Sequence, residues 1–173
     1  LGSGMIGLGA MMGALMLGAR VIAVDLSDKK LDIARRLGAA HVLRSGANLA
    51  AQLEDIVPGG PDVVIEAVGA PETFTAAVDL VGQCGRVVYI GYAKHAVSYD
   101  TKRFITKEID IRGSRNAMRS DFDDVVSWLK RHPDAAEMII SAVVPLEQAP
   151  ETLMEWDKNP GDFTKILVQM QRN

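Results

Sequence analysis

Gly2 Ser3 Gly4 Met5 Ile6 Gly7 reads as a GxGxxG that runs straight into an apolar stretch of helical character, ending at Leu17 and Gly18. The three glycines have separate tasks. Gly2 permits a tight turn out of a strand, Gly4 lets backbone approach a pyrophosphate with no Cβ in the way, and Gly7 allows the helix to lie against the sheet. Free N–H groups and partial positive charge at the helix start then face the phosphates. Taken singly, the motif also fits a glycine turn that merely packs closely on a helix. Eighteen residues past Gly7, after the apolar run Val21–Val24, stands Asp25, where a carboxylate accepts hydrogen bonds from an adenosine ribose. Asp25 by itself reads equally as a loop residue before a helix. Glycine motif and aspartate together point to a bound dinucleotide. The carboxylate would repel a 2′-phosphate and no arginine follows it in the turn, so NAD is favoured over NADP. Lys29 and Lys30 either approach the adenosine side or lie on a solvated helix face.

Outward from the motif, short apolar runs alternate with helical patterns, the signature of βα units and a mostly parallel α/β sheet. Arg20–Asp25, His41–Leu43, Asp62–Val68, Arg86–Gly91 and Ile109–Gly113 are rich in Val and Ile without clean alternation, as in strands buried on both faces. Ser27 is placed to cap a helix carrying Leu31, Ala34 and Leu37, with Gly38 as its left-handed stop. Pro71 suits the first turn of a helix through Val81. Phe122, Val125, Val126 and Leu129 fall at i, i+3, i+4 and i+7, predicting a helix with one buried stripe, Ser120 as cap and Pro133 beyond its end. Ile139–Val144 then reads as a strand, Glu147–Trp156 as a helix and Thr164–Met170 as a final strand.

The 173 residues amount to about one domain, and 48% apolar with 24% charged residues describes a chain with a sizeable core. Nineteen basic against 22 acidic residues, with no Lys/Arg run long enough to form a basic footprint, argue against nucleic acid and a membrane surface. Arg20 and Asp25 interrupt the most apolar region, leaving it short of a membrane span. A single cysteine, Cys84, precludes an internal disulfide and a multi-cysteine zinc cage within the chain, and suits a reducing, cytoplasmic setting. His41, His95 and His132 are scattered, Glu66 and Asp110 have no sequence partner for acid/base work, and Met5, Met11, Met12 and Met16 read as core filling.

With the glycine motif, Asp25 and the segment Ser27–Ala39 (SDKKLDIARRLGA), the sequence resembles the cofactor-binding half of the medium-chain, zinc-type alcohol dehydrogenases, in their sorbitol and threonine dehydrogenase branch. The likeness continues through Asp62–Gly69 (DVVIEAVG), Gly85–Gly91 (GRVVYIG), Glu108–Asn116 (EIDIRGSRN) and Lys165–Leu167. It implies a Rossmann doubly wound parallel sheet with helices on both faces. It also implies roles. Gly4, Met5 and Ile6 would present backbone to the pyrophosphate, Asp25 with Lys30 would hold the adenosine ribose, and Ala67 and Val68 would line the adenine and ribose side. Ile90, Gly91 and Tyr92 would meet the nicotinamide, and Ser114, Arg115 and Asn116 its carboxamide, with Arg115 equally readable as a surface or inter-subunit residue. Lys165 would approach the pyrophosphate.

The family's zinc ligands and proton relay come from an N-terminal GroES-like domain, which is not among these residues, so zinc is expected in the parent protein and bound outside this chain. No catalytic or metal-ligating residue is assigned here. The first strand of the order 3-2-1-4-5-6 is reduced to Leu1, and the chain reads as a piece of a larger protein. Residues 1–132 would form the NAD-binding domain, and residues 133–173 would return toward the absent catalytic domain. The expected activity is oxidation of a small secondary alcohol (polyol, sugar acid or hydroxy amino acid) by hydride transfer to NAD, in a homodimer or homotetramer paired through Ile109–Gly113. A non-catalytic NAD-binding regulatory module is the other reading. A short-chain reductase is excluded, because Tyr89, Tyr92 and Tyr99 are followed at the fourth position by Ala93, Ala96 and Arg103 and not by lysine.

Overall fold

The structure, a computed structural model, describes residues 1–170. Residues 171–173 of the segment expected to return toward another domain lie outside the described residues. In chain order the elements are α1 (Met5–Met16), β1 (Ile22–Asp25), α2 (Asp28–Arg36), β2 (His41–Arg44), α3 (Leu49–Ile56), β3 (Val63–Glu66), α4 (Pro71–Leu80) and β4 (Arg86–Tyr89). There follow α5 (Lys102–Lys107), β5 (Asp110–Gly113), α6 (Arg119–Arg131), α7 (Pro133–Ile139), β6 (Ala142–Pro145), α8 (Ala149–Lys158) and β7 (Ile166–Gln169).

All strand pairs are parallel. β1 lies beside β2 with Ile22 opposite His41, while β4 lies between β3 and β5 with Arg86 opposite both Val63 and Asp110. Between these two groups runs the start of the chain. The Leu1 nitrogen donates to the Ile65 carbonyl at 2.6 Å, the Ala67 N–H donates to the Leu1 carbonyl at 2.9 Å, and the Gly2 N–H donates to the Val24 carbonyl at 2.8 Å. Leu1 and Gly2 thus hold the lane between β1 and β3, and the lateral order β2, β1, residues 1–2, β3, β4, β5 is the doubly wound Rossmann arrangement. A separate parallel pair, β6 and β7, is bridged through α8.

Two apolar clusters fasten helices to strands. Leu8, Met11 and Met12 of α1 pack with Ala23, Ala34, Ala39 and Ile139, and Val64 and Val87 pack with Ala77, Val78 and Val81 of α4 and its end. Full burial of a side chain such as Leu8 or Val87 is worth roughly 1.5–3 kcal/mol relative to exposure. Met11 and Met12 fill core as expected, whereas Met16 lies at the exposed end of α1.

The sequence reading needs correction in places. Ser27 stands at the start of α2, yet its hydroxyl donates to the Gly161 carbonyl at 3.0 Å and accepts from none of the helix N–H groups. α6 begins at Arg119, before the expected Ser120 cap, because the Asp121 carboxylate reaches back to the Met118 N–H at 2.7 Å. Its apolar stripe is not buried: Phe122, Val125 and Val126 are 64%, 51% and 49% exposed, and α6 meets the core through Trp128. Periodicity identifies an apolar face without saying what covers it. Pro133 starts α7 as well as following α6, and Ile139 ends that helix in place of opening a strand.

Candidate functional site

The site is built from the ends of β1, β3, β4 and β5 around the glycine bend, the place where a doubly wound sheet opens a crevice. Gly2 has φ +89°, a left-handed conformation that excludes most side chains, and a Cβ there would stand 2.7 Å from Val68 Cγ2. A Cβ on Gly7 would overlap the Gly2 carbonyl oxygen, so the first turn of α1 lies directly on the bend that precedes it. Gly4 faces open space, with no atom within 4 Å of its Cβ position. The first helical bond of α1 runs from the Leu8 N–H to the Gly4 carbonyl at 2.9 Å. The N–H groups of Met5, Ile6 and Gly7 therefore have no carbonyl within the helix to bond. A cradle for an anionic group results, open at Gly4 and lined by amides.

Asp25 closes one side of it. Its Oδ2 accepts the Ser3 N–H at 2.7 Å and its Oδ1 accepts the Ser27 N–H at 2.9 Å. A carboxylate has roughly four lone-pair sites, so these two bonds orient the group and leave acceptor capacity for a pair of ribose hydroxyls. Lys30 is half-buried in the first turn of α2, whereas Lys29 points to Asp162, its Nζ 2.6 Å from Oδ1. Lys29 thus joins the loop after α8, the same loop that receives Ser27 through Gly161.

On the other side, Ala67 and Val68 follow β3 and touch the glycine bend, and Val68 is more than half exposed. Ile90, Gly91 and Tyr92 follow β4. A Cβ on Gly69 would sit 2.8 Å from the Tyr92 carbonyl oxygen, and one on Gly91 would sit 2.9 Å from Gly69 Cα, so these two exits lie backbone to backbone. Tyr89 supports the β4 exit from below: its hydroxyl donates to the Phe74 carbonyl at 2.9 Å, its ring stacks on Phe74 at 4.3 Å, and Tyr99 donates to its oxygen at 3.1 Å. Burial, reinforced by the Tyr99 hydrogen bond, raises the Tyr89 phenol above its ordinary range. Ser114 continues the ladder, its N–H on the Tyr89 carbonyl at 2.9 Å. Arg115 and Asn116 are exposed beyond it, and Asn116 adopts φ +65°.

The structure therefore gathers Gly2, Gly4, Gly7, Asp25, Ala67 and Val68 around one bend and sets Gly91 and Tyr92 beside Gly69. Lys165 precedes β7, its carbonyl accepting the Ser141 N–H at 2.8 Å. Sequence reasoning passed over Glu66, which is fully buried at the foot of the crevice. The available signal was a lone carboxylate ending the apolar run Val63–Ile65 just ahead of Gly69. Two open cavities, one lined by Leu53, Gly60, Leu80 and Lys107 among others and one by Arg36, Asp134, Glu137 and Met138, take in none of the expected cofactor residues. Among the described residues no three His, Cys, Asp or Glu side chains come together as a metal site.

The sequence pattern of the zinc-binding dehydrogenase family matches residues 6–131. A D-xylulose reductase of Scheffersomyces stipitis is 36% identical over 126 residues, covering 71% of this chain and 34% of the relative. A 2-dehydro-3-deoxy-L-galactonate 5-dehydrogenase of Pseudoalteromonas atlantica is 28% identical over 170 residues, covering 98% of this chain and 50% of the relative. The solved alcohol dehydrogenase of Thermotoga maritima superposes with a TM-score of 0.88 at 24% identity, covering 98% of this chain and 48% of that one. The chain spans about half the length of the curated relatives it matches over nearly all of its own residues.

Proposed function

The chain belongs to the zinc-binding dehydrogenase family, and from that premise we propose that it is the NAD-binding part of a dehydrogenase that oxidises a secondary alcohol. The observation that carries the reading is the hydrogen bond from Ser3 N–H to Asp25, which sets a ribose-binding carboxylate beside an amide-lined helix start. The amides of Met5, Ile6 and Gly7 would hold the pyrophosphate, Asp25 with Lys30 the adenosine ribose, and Ala67 and Val68 would line the wall next to it. Ile90, Gly91 and Tyr92 would face the nicotinamide, with Ser114, Arg115 and Asn116 toward its carboxamide. Bound NAD supplies the hydride acceptor. These residues bind and orient it, and none of them moves a proton of the substrate.

Zinc ligands and the proton relay belong, in this proposal, to a catalytic domain outside these residues, toward which residues 133–173 return from a cofactor domain at 1–132. The substrate class is a polyol or sugar acid, supported by the names of the relatives above. Pairing of two copies would run along β5, whose residues are all exposed at the sheet edge. No helix among the described residues is long and apolar enough to cross a membrane, and we place the protein in the cytoplasm.

The test is titration of the purified protein with NADH, followed by nicotinamide fluorescence. Saturable binding that Asp25→Ala weakens by about tenfold or more supports the reading, on the scale of a lost hydrogen bond to a charged group. Binding unchanged by Asp25→Ala overturns the ribose assignment.

A further inference from the structure

Glu66 is a charged residue type with no exposed surface, and no arginine or lysine among the described residues pairs with it. Its Oε1 collects three donors: the Val68 N–H at 2.8 Å, the Gly69 N–H at 2.8 Å and the Thr73 hydroxyl at 2.7 Å. Its backbone carbonyl collects two more from the next strand exit, the Ile90 N–H at 2.9 Å and the Gly91 N–H at 3.0 Å. Oε2 is buried and has no hydrogen-bond partner among the described residues, and it is the atom that a Cβ on Gly91 would strike.

A leucine or methionine would fill this volume without leaving an oxygen unsatisfied, but it would strip the Val68 and Gly69 N–H groups and the Thr73 hydroxyl of their acceptor. Packing therefore does not account for a carboxylate here. What it provides, and an apolar side chain cannot, is one acceptor point for the turn after β3 and for the first turn of α4 through Thr73, beside the close approach of Gly91.

We infer that Glu66 is a positioning residue for the cofactor crevice, holding the two strand exits, residues 67–69 and 90–92, at their mutual spacing. Glu66 does not touch the cofactor. It acts through the Val68 and Gly69 amides, and it sets the wall against which Gly2 turns, since Val68 Cγ2 lies in the space a Cβ on Gly2 would need. The inference rests on the NAD reading only for its consequence in binding; the loop geometry stands without it.

The experiment combines amide hydrogen exchange with NADH titration on the intact protein, comparing Glu66→Ala, Glu66→Gln and Thr73→Val. Glutamine keeps an acceptor where Oε1 stands and removes the charge. The expected result is faster exchange at Val68 and Gly69 in Glu66→Ala with protection retained in the helices, near-native protection in Glu66→Gln, and NADH affinity lowered about tenfold in the alanine variant and restored by glutamine. Thr73→Val, which deletes a single donor, should show the same loosening to a smaller degree, and decides the matter if Glu66→Ala does not fold. Unchanged exchange at 67–69 in a folded Glu66→Ala, or in Thr73→Val where that variant stands in, overturns the inference. Should the unaltered protein fail to bind NADH, the cofactor reading falls, while the exchange data still decide the positioning role.

Discussion

Among the described residues Asp25 has two hydrogen-bond partners, the Ser3 and Ser27 N–H groups, which any replacement side chain would also have to satisfy. Substituting Asp25→Gly together with Leu26→Arg removes the charge that repels a 2′-phosphate and adds one that attracts it; Leu26 is 70% exposed and has room for the change. The expected outcome is a shift of affinity toward NADPH by about tenfold or more, read by parallel titrations with both cofactors. Gly7→Ala forces the first turn of α1 off the Gly2 carbonyl; a loss of about 1–3 kcal/mol in denaturant unfolding is expected, with weaker NADH binding. Tyr89 carries a pH signature. Its folded-state phenol titrates above the ordinary value of 10.0, so the unfolded chain releases that proton first as pH rises. Stability is therefore full below pH 10 and falls above it. Tyr89→Phe should flatten that alkaline fall in a series of denaturant melts, even though it also loses the bond to Phe74.

At the scale of elements, the strands and the first two helices were legible because each is specified locally: β-branched runs mark β1, β3 and β4, and positive-φ glycines stop α1 and α2 at Gly18 and Gly38. α3, α5 and α7 escaped notice for a common reason. Each has eight residues or fewer, at most a single amphipathic repeat, and α5 buries none of its side chains. The glycine bend and the carboxylate beside it were legible because a GxGxxG spacing and an aspartate closing an apolar run are both local signals. Glu66 was not, because its partners are two backbone N–H groups and a threonine hydroxyl that no spacing rule connects. The element whose packing matters most is α1, which carries Leu8, fully buried, directly behind the amide cradle. Leu8→Ala should cost about 2–5 kcal/mol in unfolding free energy, and, by leaving a void under the helix start, should weaken NADH binding as well.

Over the whole molecule, one family pattern covers residues 6–131 while α7, β6, α8 and β7 lie past its end, β6 and β7 forming a sheet of their own. That pair is not independent of the rest. Ile139, at the end of α7, belongs to the cluster around Leu8, and its carbonyl accepts the Thr164 hydroxyl at 2.5 Å. The loop after α8 goes further and reaches the start of α2 through the bonds from Ser27 to Gly161 and from Lys29 to Asp162, partners 134 and 133 residues apart in sequence. On a translating ribosome the turn beside Asp25 emerges well before residue 162 and waits for these two contacts until that residue has cleared the exit tunnel. That turn is thus made long before it is finished.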